Sequence, residues 1–301
     1  MDDAQDLVSV VIPVYNAGDR IGETLECVFN QDYPNLEIVV VDDGSTDGSL
    51  EYLRQFTNRI KLVQQPNSGA AAARNAGVKQ AQGRWIAFLD ADDIWETGKI
   101  SAQVAEAGNG ARWIYTDTLF VGGVNDGKRD SDLNHKIDGD ILEQIACSNF
   151  IGTSSVFVER DVFLAAGGFD ENLRSVHDWD LWVRVASICK IKYLNQPLVR
   201  YTIHASSTSR STRKTLPNHL RVIRKSFGSG GAAERVAHLQ PAAMANSYSI
   251  CSQISEEEGD YSFAISCAFQ ALRQQPLMFQ RYNRLTRLLV KAGLRLVGFR
   301  R

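Results

Sequence analysis

Leu36-Glu37-Ile38-Val39-Val40-Val41-Asp42-Asp43-Gly44-Ser45-Thr46-Asp47 decides the fold. Leu36 to Val41 is rich in β-branched residues and almost unbroken in apolar character, as a strand covered on both faces must be, and it runs straight into an acidic turn. A stretch with helical spacing, Leu50 to Phe56, follows. The same unit recurs on both sides. Val8 to Val14 precedes Ile21 to Phe29, Ile60 to Val63 precedes Ala70 to Ala81, Trp85 to Leu89 precedes Ile100 to Ala107, and Arg112 to Tyr115 closes the series. Parallel neighbours need crossover helices, so the alternation predicts an α/β fold with a mostly parallel sheet flanked by helices. Ligands of such sheets bind beyond the carboxyl ends of the strands. The chemistry is therefore expected in the post-strand loops.

After residue 117 the rhythm is lost, and Gly122 to Asp132 reads as an exposed loop or hairpin. Thr153 to Val158 reads as a strand, Gly167-Gly168-Phe169-Asp170 as a turn, and Asp178 to Ser187 as a helix with Leu181, Trp182, Val185 and Ala186 on its apolar face. Trp179 and Trp182 are expected in the core. Ile191 to Leu194 and Leu198 to Tyr201 read as two short strands, and Ser206 to Arg213 as a loop. Beyond Leu216 the chain turns helical, and Tyr248 to Leu289 has the small-residue spacing of one tetratricopeptide-like helix pair. The predicted organisation is a catalytic domain over 1–215 and an α-helical appendage over 216–301.

The chain has 301 residues, 44% hydrophobic and 23% charged, which excludes disordered, collagenous and membrane-spanning classes. A net charge of −2 hides an asymmetry: residues 1–200 carry 18 Lys and Arg against 30 Asp and Glu, whereas 201–301 carry 15 against 5. The two parts should meet different partners, with no nucleic acid among them. Five cysteines without a CxxC pair suggest neither a disulfide framework nor a zinc site. The N-terminus is acidic where a leader would be basic, and no apolar run approaches a membrane span, so a cytoplasmic protein is expected, at most peripheral at the inner face of a membrane.

Asp42, Asp43 and Asp47 follow the second strand, and Asp90-Ala91-Asp92-Asp93 follows the fourth. Carboxylates converging on one sheet edge repel one another unless a cation or donors compensate. The Asp-x-Asp-Asp spacing is too short for a twelve-residue calcium loop but suits Mg²⁺ or Mn²⁺ completed by phosphate oxygens and water. Taken one at a time these motifs are weak, since Asp42-Asp43-Gly44-Ser45 also makes a turn and Asp178 a helix cap.

Taken together, Ser9 to Asn16, Val40 to Asp47, Asn67-Ser68-Gly69 with Ala73-Arg74-Asn75-Ala76-Gly77, Phe88 to Asp93, and Gly167 to Asp170 followed by His177-Asp178-Trp179-Asp180-Leu181 resemble the inverting nucleotide-sugar glycosyltransferases of family 2 in order and spacing. The resemblance spans residues 8–210 and implies the GT-A (Rossmann-like) fold. It implies that Pro13, Tyr15, Asp43, Arg74, Asp90 and Asp92 bind the nucleotide, with Asp43 taking the base N–H. It also implies that Asp92 and Asp93, joined by His204 when the Ser206 to Arg213 loop closes, hold Mn²⁺ or Mg²⁺, and that Asp178 is the general base. A nucleoside diphosphate sugar, UDP-linked by preference, would pass its sugar to a hydroxyl of a saccharide or lipid-linked acceptor in cell-surface polysaccharide or glycoconjugate synthesis.

His177 stands where relatives often carry an acid, and Gly98 where many carry proline; there is no Gln-x-x-Arg-Trp motif of processive synthases. The competing class is a non-catalytic nucleotide-sugar-binding or scaffold protein. Dehydrogenases and P-loop enzymes are excluded by the missing glycine fingerprints. In the appendage, Arg281, Arg284, Arg287, Lys291 and Arg295 recur at helical spacing beside Leu285, Leu288, Leu289, Ala292 and Leu296. The basic stripe is expected to face an anionic membrane or to be solvated while the apolar stripe packs on its own domain; a homodimer contact is the third option.

Overall fold

The computed structural model describes residues 6–203 and 212–296. They form two units, 6–141 with 150–203 and 142–149 with 212–296. The second unit thus takes in a short segment from within the stretch that the sequence reads as one domain.

The first unit contains β1 (Val8–Val14), α1 (Arg20–Phe29), β2 (Leu36–Asp42), α2 (Ser49–Arg54), β3 (Lys61–Gln64), α3 (Ala70–Gln80), β4 (Trp85–Phe88), β5 (Ile94–Trp95), α4 (Lys99–Gly108), β6 (Trp113–Val121) and α5 (Asp130–Leu133). After α6 (Leu142–Cys147), which belongs to the second unit, it resumes with β7 (Val156–Glu159), α7 (Arg160–Ala165), α8 (His177–Ala186) and β8 (Lys192–Thr202). One sheet has the order β3-β2-β1-β4-β7-β6-β8-β5. β1 to β4 run parallel, as does the β6–β8 pair, whereas β7 is antiparallel to both its neighbours and β5 to β8. The strands foreseen at 191–194 and 198–201 are one strand, β8, whose register slips opposite Asp117.

Alternate β1 and β2 side chains feed different layers. Val8, Val10, Ile12, Ile38 and Val40 pack with Ile21, Leu25, Leu53 and Ile100 of α1, α2 and α4, while Val39 and Val41 pack with Ala73 of α3. The small-residue helix α3 approaches so closely that a Cβ on Gly77 would lie 2.4 Å from Val11 Cγ1. On the same side Phe88, Phe163 and Phe169 cluster, and Trp182 packs against Trp113. Trp179 and Trp182 are buried, as expected for core anchors.

The second unit holds α9 (Thr212–Phe227), α10 (Gln240–Glu257), α11 (Tyr261–Gln274) and α12 (Phe279–Leu296). The Asp260 side chain caps α11 by accepting from Phe263 N at 3.1 Å. Leu216, Cys251 and Cys267 form one apolar cluster, and Ala264, Ala268 and Leu288 another. Four residues of the basic stripe of α12 are tied to α10. Arg281 donates to Ala245 O (2.8 Å) and Ser249 Oγ (2.6 Å), Arg284 to Ser252 Oγ (3.0 Å), and Arg284, Arg287 and Lys291 all reach the Glu256 carboxylate. Glu256 and the polar side chains and carbonyls of α10 thus partner these cations, while Arg287 and Lys291 remain about half exposed to solvent. Among the described residues no helix is long and apolar enough to cross a membrane.

Candidate active site

Order reversal in the sheet occurs between β1 and β4: β2 and β3 lie to one side of β1, and β4 to the other. The loops leaving β1, β2 and β4 therefore gather at the carboxyl edge, where open α/β sheets bind ligands. They carry Tyr15, Asp43 and Asp90 to Asp93.

Asn16, in the left-handed region at φ +49, accepts from Thr46 N at 2.8 Å, and Ser45 Oγ accepts from Asn16 N at 3.1 Å. These bonds join the post-β1 and post-β2 loops. Pro13 is half-buried at the end of β1, and Tyr15 is 52% exposed beyond it. Asp43 is 3% exposed. Its Oδ1 accepts from Gln65 Nε2 (2.7 Å) and Ser68 N (2.8 Å), and its Oδ2 from Gly69 N (2.8 Å). It thereby pins the loop that starts α3. A Cβ on Gly44, at φ +76, would meet Asn67 N at 2.8 Å, so the tight acidic turn requires glycine.

Arg74 sits on α3, 5% exposed, and bridges two elements. Its guanidinium pairs with Asp90 after β4 and donates to His177 Nε2 of α8 at 2.7 Å. Guanidinium has no acceptor, so His177 must accept through Nε2 and be neutral. Burial first, and Arg74 next, pull the imidazole down to about 4 against the opposing influence of Asp178. His177 is thus engaged in placing Arg74. Asp178, half-buried, is the second residue of α8, where the helix dipole favours a carboxylate. Val176, immediately before the helix, adopts φ +53, a strained setting for a β-branched residue.

Asp93 departs from the metal-ligand expectation. It is 2% exposed, with Oδ2 accepting from Ser154 Oγ at 2.6 Å and Oδ1 from Thr202 N at 3.1 Å. Burial, then Asp90, pushes its pKa well above the usual carboxylate range. Its side chain turns into the protein because Ser154 also accepts from Asp90 N at 3.1 Å and so staples both ends of the acidic loop. Asp90 retains 30% side-chain exposure, and Asp92 is half-buried. Among the described residues no group of three or more His, Cys, Asp or Glu side chains could hold a metal alone. The donor set that remains, Asp92 with Asp90, fits Mg²⁺ or Mn²⁺, which take one or two carboxylates and complete their shell with phosphate and water. His204 and loop residues 206–211 lie outside the described residues.

Sequence reasoning missed the support beneath this loop. Thr153–Ser155 is a 3₁₀ turn before β7, and its carbonyls are held by Trp95 Nε1 (Ser154 O, 2.8 Å) and Gln103 Nε2 (Ser155 O, 2.9 Å). Lys99, fully buried, donates to Gln103 Oε1 at 2.7 Å and lies 3.9 Å from the Trp95 ring centroid. The run of small hydroxyl residues at 153–155 was its one local signal.

The sequence pattern of glycosyl transferase family 2 matches residues 9–161. The UDP-Glc:alpha-D-GlcNAc-diphosphoundecaprenol beta-1,3-glucosyltransferase WfaP of Escherichia coli is 44% identical over 240 residues, 74% of this chain and 87% of that protein. An uncharacterised glycosyltransferase of Rickettsia bellii is 31% identical over 213 residues, 67% of this chain but 29% of the relative, so the chain spans about a third of the length of such relatives. The mannosyltransferase PcManGT of Pyrobaculum calidifontis, solved with GDP-Man and Mn²⁺, superimposes with a TM-score of 0.60 at 20% identity, covering 98% of this chain and 88% of that one. The fold is the GT-A fold, the acidic motifs fall at its strand ends in the family's order, and the chain belongs to glycosyl transferase family 2.

Proposed function

We propose that the chain is an inverting, metal-dependent glycosyltransferase that moves a hexose from a UDP-sugar to a hydroxyl of a lipid-diphosphate-linked saccharide in cell-surface polysaccharide synthesis. The observation that carries this reading is the convergence of Asp43, Arg74–Asp90 and the Asp178 helix start at one sheet edge, in a chain 44% identical to WfaP. Three of the roughly four lone-pair positions of the Asp43 carboxylate are filled by Gln65, Ser68 and Gly69. The fourth suits a base N–H, and Tyr15 supplies an exposed aromatic face nearby in sequence. Asp92, aided by Asp90, would hold Mg²⁺ or Mn²⁺, whose charge offsets that of the departing diphosphate. Mn²⁺ in the fold neighbour PcManGT supports that part.

Asp178 accepts the proton of the acceptor hydroxyl as its oxygen bonds to the anomeric carbon. The bond from that carbon to the diphosphate oxygen breaks on the opposite face, so configuration inverts. Arg74 holds Asp90 and, through His177, the start of α8, keeping donor site and base in register. The test is a donor screen: UDP-, GDP- and TDP-sugars with Mn²⁺ and a lipid-diphosphate-linked hexosamine acceptor, reading nucleoside diphosphate release. Release from UDP-hexose above other donors supports the reading; no acceptor-dependent release from any donor overturns it.

A further inference from the structure

Helix α12 buries Leu288 and packs Leu285 against α11, yet it carries a second apolar face. Its cations Arg281, Arg284 and Lys291 turn toward α10, while Phe279 (74% exposed), Tyr282 (46%), Leu289 (53%) and Val290 (56%) lie outward, preceded by Leu277 (98%) and Met278 (46%). Steps of 3, 7 and 1 from Phe279 to Tyr282, Leu289 and Val290 put these four on one helix face, opposite buried Leu288. A contiguous apolar face of this kind on a soluble body marks an interaction surface.

Charge selects its occupant. The sequence of α12 contains five Lys and Arg and no Asp or Glu, and residues 201–301 carry 15 basic against 5 acidic residues. Glu256 is one carboxylate shared by three cations, and even with Glu257 and Glu258 beside it the acids number fewer than the five cations of α12. Pairing α12 with a second copy of itself would set this excess against its like. An anionic surface that also accepts apolar side chains satisfies both halves of the helix. The exposed cation Arg287 flanks the apolar face, and its long aliphatic stem can reach headgroups while Phe279 and Leu289 enter the acyl boundary.

We infer that the outward apolar face of α12, with the Leu277-Met278 step before it, docks the second unit on an anionic lipid bilayer. Contact is made by the apolar face, and the flanking Arg287 with the positive excess of the region sets the preference for negative headgroups. The inference does not depend on which sugar is transferred.

The experiment is flotation of the full chain with phosphatidylglycerol-containing and pure phosphatidylcholine vesicles, neither carrying any saccharide acceptor. The chain should float with the anionic vesicles at least tenfold more than with the neutral ones, and less in 0.5 M salt than at about 0.1 M, where the screening length is about 10 Å. A Leu277→Ser/Phe279→Ser/Leu289→Ser variant, changed only at exposed positions and checked for an unaltered melting curve, should lose at least tenfold. Absence of flotation, equal binding to both vesicles, or full binding by the triple variant overturns the inference. So does a wild-type dimer in sedimentation that the triple variant dissociates, which assigns the face to a second copy.

Discussion

Asp43→Asn is the substitution whose effect the structure sizes best. The carboxylate is 3% exposed and holds three donors, two on Oδ1 and one on Oδ2. A carboxamide keeps an oxygen toward Gln65 and Ser68 but turns its NH₂ against Gly69 N–H, and water cannot enter to relieve the conflict. Hydrogen bonds to a charged partner contribute about 1.5–3 kcal/mol each, and neutral ones about half as much. One bond lost and two weakened give a cost of about 3–5 kcal/mol. For a unit of this size each kcal/mol lowers Tm by about 2–4 °C, so a fall of at least about 6 °C is expected if the unit unfolds cooperatively. Calorimetry of the full chain measures it, and titration calorimetry with UDP should show weakened binding because the released 65–69 loop begins the nucleotide side. A Tm within about 2 °C of wild type together with unchanged UDP affinity would refute both the anchoring and the base-binding role.

Other substitutions separate the remaining roles. Asp178→Asn should lower kcat by about 10²- to 10⁴-fold while UDP affinity stays within about twofold, read by steady-state kinetics and calorimetry; wild-type turnover would move the base elsewhere. Asp92→Ala should abolish metal-stimulated turnover and weaken UDP binding in Mn²⁺ without affecting Tm in metal-free buffer, whereas full wild-type activity in excess EDTA would sink the metal assignment. At Glu256, burial raises the pKa but Lys291, Arg284 and Arg287 outweigh it, so the folded value lies below the unfolded one. The stabilisation is therefore complete above the unfolded value of about 4.3 and is lost as pH falls through the folded one. Circular-dichroism melts from pH 7 to pH 3 should show a smaller acid-induced loss for Glu256→Gln than for wild type; identical pH curves would remove the cluster from the account.

Local pattern determined much of this protein. Apart from the two-residue β5, strand positions in the first 115 residues follow from continuous apolar runs, helices from their 3–4 spacing, and the site edge from acids that follow buried strands, because burial on both faces leaves so few residue types for a central strand. Tertiary structure decided what depends on distant partners. Asp90, Asp92 and Asp93 are neighbours in sequence, yet Asp93 is withdrawn by Ser154 and Thr202, 61 and 109 residues away, while Asp90 is held by Arg74. His177 is in sequence only the neighbour of Asp178, and it is Arg74, 103 residues distant, that claims its Nε2 lone pair. The antiparallel seat of β7 depends on where the chain returns after 122–155, which no periodicity records. In α12 the spacing defined two stripes but not their directions. Glu256 on α10 drew Arg284, Arg287 and Lys291 to it, Leu285 and Leu288 packed on α11, and Phe279, Leu289 and Val290 stayed exposed, because a carboxylate with little exposure must find its countercharges wherever the fold supplies them.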